Sequence, residues 1–529
     1  MANISIPTLS LNGVTYYLPR TNDEVKTIIR SAKNADKKIS LRGSAHSFPL
    51  IKDNEATNKY IYVMLSNMRA ITAFDHNTGI VTVQAGCNLG LDPNDPTGTS
   101  TVENSLLYQL DPFDLKKGKR PQPPGWALPD LGGITHQTVG GFMATGSSGG
   151  TTSAAFEEAI LSVDIIHHDG NDAVIKTFSR PTNNLDDPFY GVAFAHLGLM
   201  GIVVSATFQC IRGFNILGSE AVTHSLDCSI DLFGDGDTYE GKPRLSLQDY
   251  FEQKNLYTRF MWWPQSTTDL IVLWQANAHE ASSDWETWQS NPYQEFPVFL
   301  GSMTPAEIAT EYIFTTLDNW PDWLIKKFGA GPRTRDAILA FALKLNPKIL
   351  KFVLHIFEPT GKPPKKFQDI WWNGLPMDNQ ASDTYFPVWF TELWIPIEQT
   401  KDVMLDLQDF YKDPVNAGNF MTEIYATGSN DFWLSPAYGQ AVVRIDIFWW
   451  GYDTNGTPEQ YYTPFWERLS KYNFRPHWGK YLPAYDGDLG PKYLSKQYVK
   501  WDDWKNLRST MDPNNIFLTD YWADRLGLR

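Results

Sequence analysis

The side chains whose types and spacing could do chemistry lie mostly in the last quarter of this sequence. Glu423 and Tyr425 are two residues apart, and so are Arg444, Asp446 and Phe448. In an extended chain each set projects from one face, so both can look into one pocket. His477 and Lys480 follow inside the run Arg475-Pro476-His477-Trp478-Gly479-Lys480. Glu423 and His477 are candidate proton acceptors, and Lys480 is a candidate cation for holding negative charge. His477 and Lys480 suit a salt bridge at a domain edge equally well. Far upstream, His46 sits in the turn Arg42-Gly43-Ser44-Ala45-His46-Ser47-Phe48.

These residues need elements to place them. The glycine-rich stretch 128–150, LPDLGGITHQTVGGFMATGSSGG, is expected to form neither a good helix nor a well-packed strand. Its glycines would let backbone approach a bulky ligand and turn N–H groups toward an anion. With the 42–48 turn and the turn His196-Leu197-Gly198-Leu199-Met200-Gly201 before Ile202 and Val203, it suits a long phosphate-bearing cofactor. Neither a P-loop nor a GxGxxG fingerprint after a strand is present. Thr21-Asn22-Asp23-Glu24 reads as a capping box opening an amphipathic helix, with Val25, Ile28, Ile29 and Ala32 on one face. Strands are expected at 38–41, 61–65, 80–85, 155–167, 173–179 and 202–210, with 68–71 and a turn at 75–79 joining the second to the third, and a helix opening at 187–190. Residues 91–127, rich in Asp, Pro, Gly and Lys, read as an insertion over the cofactor. From about 214 the chain turns aromatic-rich. Strands are expected there at 257–264, 270–275, 391–396 and 441–449, a capped helix after Thr304, an apolar helical pair at 336–345 and 347–357, a linker at 359–366 and a C-terminal helix from near Asp502.

At 529 residues the chain exceeds one core, so two domains are expected. A net charge of −15 argues against a nucleic-acid or anionic-membrane surface. Three cysteines without CxxC pairing exclude a disulfide scaffold and a cysteine-built zinc site, and fit a reducing compartment. No basic-then-apolar leader and no apolar run of spanning length is visible, so a cytoplasmic protein without stable membrane insertion is expected. The 20 tryptophans, paired at Trp262-Trp263, Trp371-Trp372 and Trp449-Trp450, build a large aromatic core and could also line a substrate site.

In the order of its motifs the chain resembles the FAD-linked oxidases of the vanillyl-alcohol oxidase superfamily, and within it the sugar-lactone and alditol oxidases. The covalent-flavin cholesterol oxidases are a more distant likeness. The resemblance is carried by the 42–48 turn, the 128–150 stretch, and Glu423-Ile424-Tyr425 followed by Asp431-Phe432-Trp433-Leu434-Ser435-Pro436-Ala437-Tyr438. The HWGK element at 477–480 and the closing run Asp512-Pro513-Asn514-Asn515-Ile516-Phe517-Leu518 complete it. It implies an α+β fold: a two-lobed PCMH-type FAD-binding domain over 12–213, a mixed α/β cap over 214–489, and a segment 490–529 returning to the FAD domain. His46 would be bonded to the flavin 8α carbon. A single tether is expected, since no cysteine lies between 128 and 203. Arg42, Gly43, Ser44, Ala45, Ser47, Gly140, Gly141, Thr145, Gly146 and Ser147 would hold the pyrophosphate and ribityl chain, Ile202 and Val203 the adenine, and Thr138 both flavin and substrate. Asp446 and Phe448 would line the substrate pocket, and no metal is expected.

Three departures matter. Residue 425 is arginine in the relatives, where it stands by the reacting hydroxyl; here it is Tyr425, which leaves Glu423 without its expected ion partner. Lys480 is the expected replacement, pairing with Glu423 or holding negative charge at the reduced flavin. Phe448 stands where polyol oxidases carry a small polar side chain, and Thr519 follows Leu518 where relatives continue FLND. The expected activity is an FAD-dependent oxidase taking hydride from a CH–OH group, with O₂ as acceptor and H₂O₂ and a carbonyl as products. The departures point to a bulkier or aromatic alcohol. A dehydrogenase of the same fold, or a flavin-binding protein that has lost alcohol oxidation, are the alternatives; oligomeric state is open.

Overall fold

The computed structural model describes residues 6–47, 58–266, 268–282, 284–293, 360–379, 388–418, 420–451 and 456–529. The helix expected after Thr304 and the pair at 336–345 and 347–357 lie outside the described residues.

Two sheets carry the N-terminal part. The first orders Thr8–Leu11, Val14–Tyr17, Tyr60–Met64 and Lys38–Arg42. Its opening hairpin turns at Asn12-Gly13, with φ of 49° and 84°, the left-handed pair that a tight two-residue turn requires. The second orders Ile71–Asp75, Ile80–Gln84, Ile202–Gln209, Ile160–His168 and Ala173–Ser179. The helix Asn22–Asn34 packs between them, its Val25, Ile28, Ile29 and Ala32 joining Ile39, Val63, Ile166 and Ile202 in one core. Thr21 Oγ1 accepts from the Glu24 N–H at 3.2 Å, but the Glu24 carboxylate reaches back to the Arg20 N–H at 2.7 Å, so the box closes one residue early. Ile516 and Phe517 enter the same core, and the Ile39 N–H donates to the Ile516 carbonyl at 2.7 Å.

Several local expectations are corrected. The stretch 128–150 contains a helix, Val139–Thr145. Thr138 caps it by accepting from the Gly141 N–H at 3.1 Å, and Val139, Phe142 and Met143 bury one side, which outweighs the glycine cost. Residues 156–159 form a 3₁₀ turn before the strand, and the helix expected from 187 is the single turn Phe189–Val192. Residues 71–75, in the connection expected between 65 and 80, form a strand in a hairpin with Ile80–Gln84. The end of the expected 359–366 linker opens the strand Lys365–Ile370.

An eight-stranded sheet dominates the remainder, ordered Lys365–Ile370, Phe214–His224, Leu270–Glu280, Leu256–Trp263, Thr422–Thr427, Val442–Trp450, Val388–Pro396 and Arg475–Pro476. One face is mainly apolar: Phe260, Ile424, Ile445 and Leu393 pack on the helices Thr400–Phe410 and Pro458–Leu469 through Val403, Leu407, Tyr462 and Phe465. The alternate residues must then face the other way, toward the 128–150 stretch. The two meet backbone to backbone where the Thr258 N–H donates to the Gly150 carbonyl at 2.8 Å, and a Cβ on residue 150 would lie 2.4 Å from the Thr258 oxygen. Gly150→Ala is therefore expected to cost about 1–3 kcal/mol through forced backbone displacement. A thermal unfolding midpoint equal to that of the unaltered protein would contradict this contact.

Candidate active site

A continuous cavity of about 790 Å³ runs from the N-terminal lobes to the inner face of the eight-stranded sheet. At its first end lie Arg42, Gly43, Ser44, Ala45, His46, Ser47, Thr138, Gly140, Gly141, Thr145, Ser147, Ile202 and Val203. Gly146 is absent from this lining: at φ 71° it terminates the Val139–Thr145 helix, and its Cβ position faces Ala195. Ala45 takes a left-handed φ of 61°, and the turn is tied down where Ser44 Oγ donates to the His136 carbonyl at 2.7 Å. The His46 and His136 rings stand 5.5 Å apart. Burial, then the nearby His46, hold His136 down at about 4.

At the other end the strand register sorts the inner face into three rows. Glu423 pairs across the ladder with Met261 on one side and Asp446 on the other, and Asp446 pairs with Glu392. Glu423 and Asp446 form an acidic row on the cavity wall, with Glu392 next along the ladder but outside the lining. On its lobe side Tyr425 pairs with Arg444, and Arg259 stands two residues before Met261 on the neighbouring strand, making a row of cations and one phenol. On the far side Phe448 pairs with Phe390, with Trp263 and Met421 continuing the neighbouring strands. Glu423, Tyr425, Arg444, Asp446, Phe448, His477 and Lys480 all line the cavity.

The charges are paired in a pattern different from the expected one. Glu423 has an ion partner: Arg259 Nη1 donates to its Oε1 at 3.1 Å, and Arg259 also bonds Asp378. Lys480 pairs with Glu392 and, at 2.9 Å, with Asp446. The positive charge missing at residue 425 is supplied from the adjacent strand, where Arg444 Nη2 donates to the Tyr425 hydroxyl at 3.0 Å and the guanidinium carbon stands 4.0 Å from the ring centroid. Tyr425 in turn donates to Asp446 Oδ2 at 2.9 Å. Glu392, fully buried behind the row, takes Arg444 Nε at 2.5 Å.

Burial pushes the Glu423 carboxyl above the usual carboxylate range, with Asp378 and Asp446 adding and Arg259 opposing. Burial, then Glu392, likewise push Asp446 up against Lys480 and Arg444. Burial also works against ionisation of Glu392, but Arg444 and Lys480 outweigh it and hold that carboxyl well below its ordinary value. Burial lowers His477 to about 3, so its ring is neutral at ordinary pH, and Nδ1 accepts from the Gly479 N–H at 3.0 Å.

Arg259 and Glu392 were not among the residues singled out from the sequence. The available signal was a lone charge inside an otherwise apolar strand, Tyr-Thr-Arg-Phe-Met in one case and Thr-Glu-Leu-Trp-Ile in the other.

A family profile described as D-arabinono-1,4-lactone oxidase matches residues 245–526, and one described as FAD binding domain matches residues 15–91. The L-gulonolactone oxidase of Scyliorhinus torazame is 22% identical over 516 residues, covering 97% of this chain and 95% of that protein. The D-arabinono-1,4-lactone oxidase of Yarrowia lipolytica is 22% identical over 559 residues, covering 97% and 94%. Among solved structures, cholesterol oxidase from B. sterolicum superposes with a TM-score of 0.66 at 16% identity, over 98% of this chain and 94% of that one. This flavoprotein is an FAD-dependent oxidase acting on a CH–OH group with O₂ as acceptor, built on the vanillyl-alcohol oxidase fold. It belongs to the D-arabinono-1,4-lactone oxidase family, whose profile spans just over half the chain.

Replacing Glu392 by Gln leaves two buried cations short of a carboxylate. The expected loss is about 3–5 kcal/mol of folding stability, read by denaturant unfolding of the holoprotein. A change within about 0.5 kcal/mol, as at an ordinary surface position, would show that the ion pairs carry no structural weight.

Proposed function

We propose that FAD is bonded covalently through His46 alone, and that the acidic row of the sheet is the centre where a small-molecule alcohol loses its proton. In this reading residues 12–213 hold the flavin, 214–489 form the substrate cap and 490–529 return to the flavin lobes. The residues present fit the cofactor. Gly43 and Gly140 let the cavity-lining turns pack closely on their neighbours: a Cβ at residue 43 would fall 2.8 Å from Thr138 Oγ1, and one at residue 140 would fall 3.1 Å from the Ala85 oxygen. His136 Nδ1 and Gln137 Oε1 are buried at the same cavity with no hydrogen-bond partner among the described residues, which suits polar edges of a bound group. Three buried free cysteines support a reducing, cytoplasmic setting.

When bound, the flavin would supply the hydride acceptor for this oxidation, with O₂ as the final acceptor and H₂O₂ as product. The observation that carries the assignment for the protein's own part is Asp446, whose side chain lines the cavity and whose buried Oδ1 has no hydrogen-bond partner among the described residues. Its sister oxygen is held by Lys480 and Tyr425, both at 2.9 Å, so the carboxylate is fixed while one oxygen is available to take the hydroxyl proton. Glu423, held by Arg259, orients the same hydroxyl. Tyr425 transmits the Arg444 charge to Asp446 in place of a direct guanidinium. The neutral His477, with Nδ1 committed to Gly479, offers an Nε2–H as a donor rather than acting as the base. Thr138 lines the flavin end and Phe448 the substrate end.

Asp446→Asn is expected to lower kcat about 10²–10⁴-fold with flavin content unchanged. The acid must ionise to act and is pushed up by burial and Glu392, so activity falls on acidification through a midpoint above the ordinary carboxylate range. An unaltered rate in that variant would remove Asp446 from the chemistry. In acid-precipitated protein, yellow colour is expected to stay with the pellet and to be lost from it in His46→Ala. Colour released from the unaltered protein would refute the tether.

A further inference from the structure

We propose that the row Trp263, Met421, Phe448 and Phe390 is the subsite for the body of the substrate. The substrate it takes is an alcohol whose carbinol carbon is joined to an apolar, planar ring system, not a polyhydroxylated lactone. This rests on the oxidase reading above and adds the substrate class to it.

The register decides where the body can go. Same-face residues along a strand are about 7 Å apart and neighbouring strands about 4.8 Å apart. A hydroxyl at Asp446 therefore leaves the rest of the molecule one step toward either flanking row. The cationic row is narrowed by backbone, although Arg259, Tyr425 and Arg444 still reach the cavity. Arg444 Nη1 donates to the Gly149 carbonyl at 2.6 Å, and a Cβ on residue 150 would stand 3.7 Å from Tyr425 Cβ, so the 148–150 backbone lies against that row. The less obstructed direction is the other one, and there the row's side chains among the described residues are apolar or aromatic.

That row is organised as a surface for rings. Phe390 and Phe448 stack with centroids 4.7 Å apart and planes at 13°, and Phe420 meets Trp263 edge-on at 4.9 Å and Phe448 at 6.1 Å. Lys480 Nζ stands 4.0 Å from the Phe390 ring centroid, which marks the boundary between the charged and apolar rows within one residue step. The Trp263 indole N–H is the one conventional hydrogen-bond donor among the side chains of this row. A sugar lactone lying here would strip water from several hydroxyls without partners, each weakening binding about tenfold. A flat hydrocarbon ring would bury apolar area against Phe448 and Trp263 instead.

The test uses purified holoprotein mixed anaerobically with a 4-alkylbenzyl alcohol or with D-arabinono-1,4-lactone, following loss of flavin absorbance. The benzylic alcohol is expected to be favoured by about 100-fold or more in kcat/KM. In calorimetric titration the matching benzyl methyl ether, which has no hydroxyl to oxidise, is expected to bind the unaltered protein. Binding should weaken about tenfold in Phe448→Ser and be retained in Phe448→Leu, which keeps apolar bulk. Lactone oxidation faster than aryl alcohol oxidation, or ether binding unchanged in Phe448→Ser, would overturn the subsite while leaving the oxidase intact. Flavin left unbleached by both compounds would instead overturn the assignment of this face as the reacting surface, and the subsite with it.

Discussion

The site depends on one buried carboxylate. Glu392 lies behind the acidic row with no exposed surface and takes both Arg444 and Lys480. Removing three such charges from water is costly, and the cost is met only because each partner is held by further bonds. Arg444 also donates to the Gly149 carbonyl and to Tyr425; Lys480 also donates to Asp446. The backbone of Glu392 contributes as well, since its carbonyl accepts the His477 N–H at 3.0 Å. One strand position therefore holds Arg444, Lys480 and His477 directly, and Tyr425 and Asp446 through them. Its neighbour is fixed in turn: Thr391 Oγ1 accepts the Trp466 indole N–H at 3.0 Å and donates to the Tyr481 carbonyl at 2.7 Å.

The same cluster joins the sheet to the 128–150 stretch of the N-terminal part. Arg444 reaches the carbonyls of Ser148 and Gly149, while the Gly149 N–H donates to Asp130 Oδ2 at 2.7 Å. Asp130 is wholly buried, and that burial pushes its carboxyl well above the ordinary carboxylate range. The loop that borders the flavin end of the cavity is thus gripped from both sides by polar groups rather than by apolar packing. Its glycines serve this arrangement: a Cβ on residue 149 would fall 2.1 Å from Asp130 Oδ1. The physical consequence is a charged, braced seam between the lobes and the sheet, with an aromatic floor beyond it.

Much of this was legible from residue types alone, and the remainder was not for definable reasons. The strands were found because alternation and β-branched content are local signals, and the pocket face of Glu423 and Tyr425 follows from a spacing of two. Partner choice was not local. Glu423 looked unpaired because its cation, Arg259, lies 164 positions earlier and meets it only through the ladder between the Leu256–Trp263 and Thr422–Thr427 strands. The replacement of arginine at residue 425 suggested lost charge, whereas Arg444 restores it from the facing position. That removes one of the grounds for expecting a bulky substrate; the aromatic row supplies a separate one. The helix at Val139–Thr145 runs against its glycine content, and its local signal is Thr138 as cap with Val139, Phe142 and Met143 at helical spacing.

The central claim is that the acidic row of the sheet is the surface the flavin faces. The most direct measurement is a crystal structure of the holoprotein with its native flavin. Continuous density is expected between His46 and the flavin, with the ring lying against the face that carries Glu423 and Asp446 and the 148–150 backbone at its border. A flavin ring turned away from those two carboxylates, or one seated with no residue of the Thr422–Thr427 or Val442–Trp450 strands against it, would contradict the account.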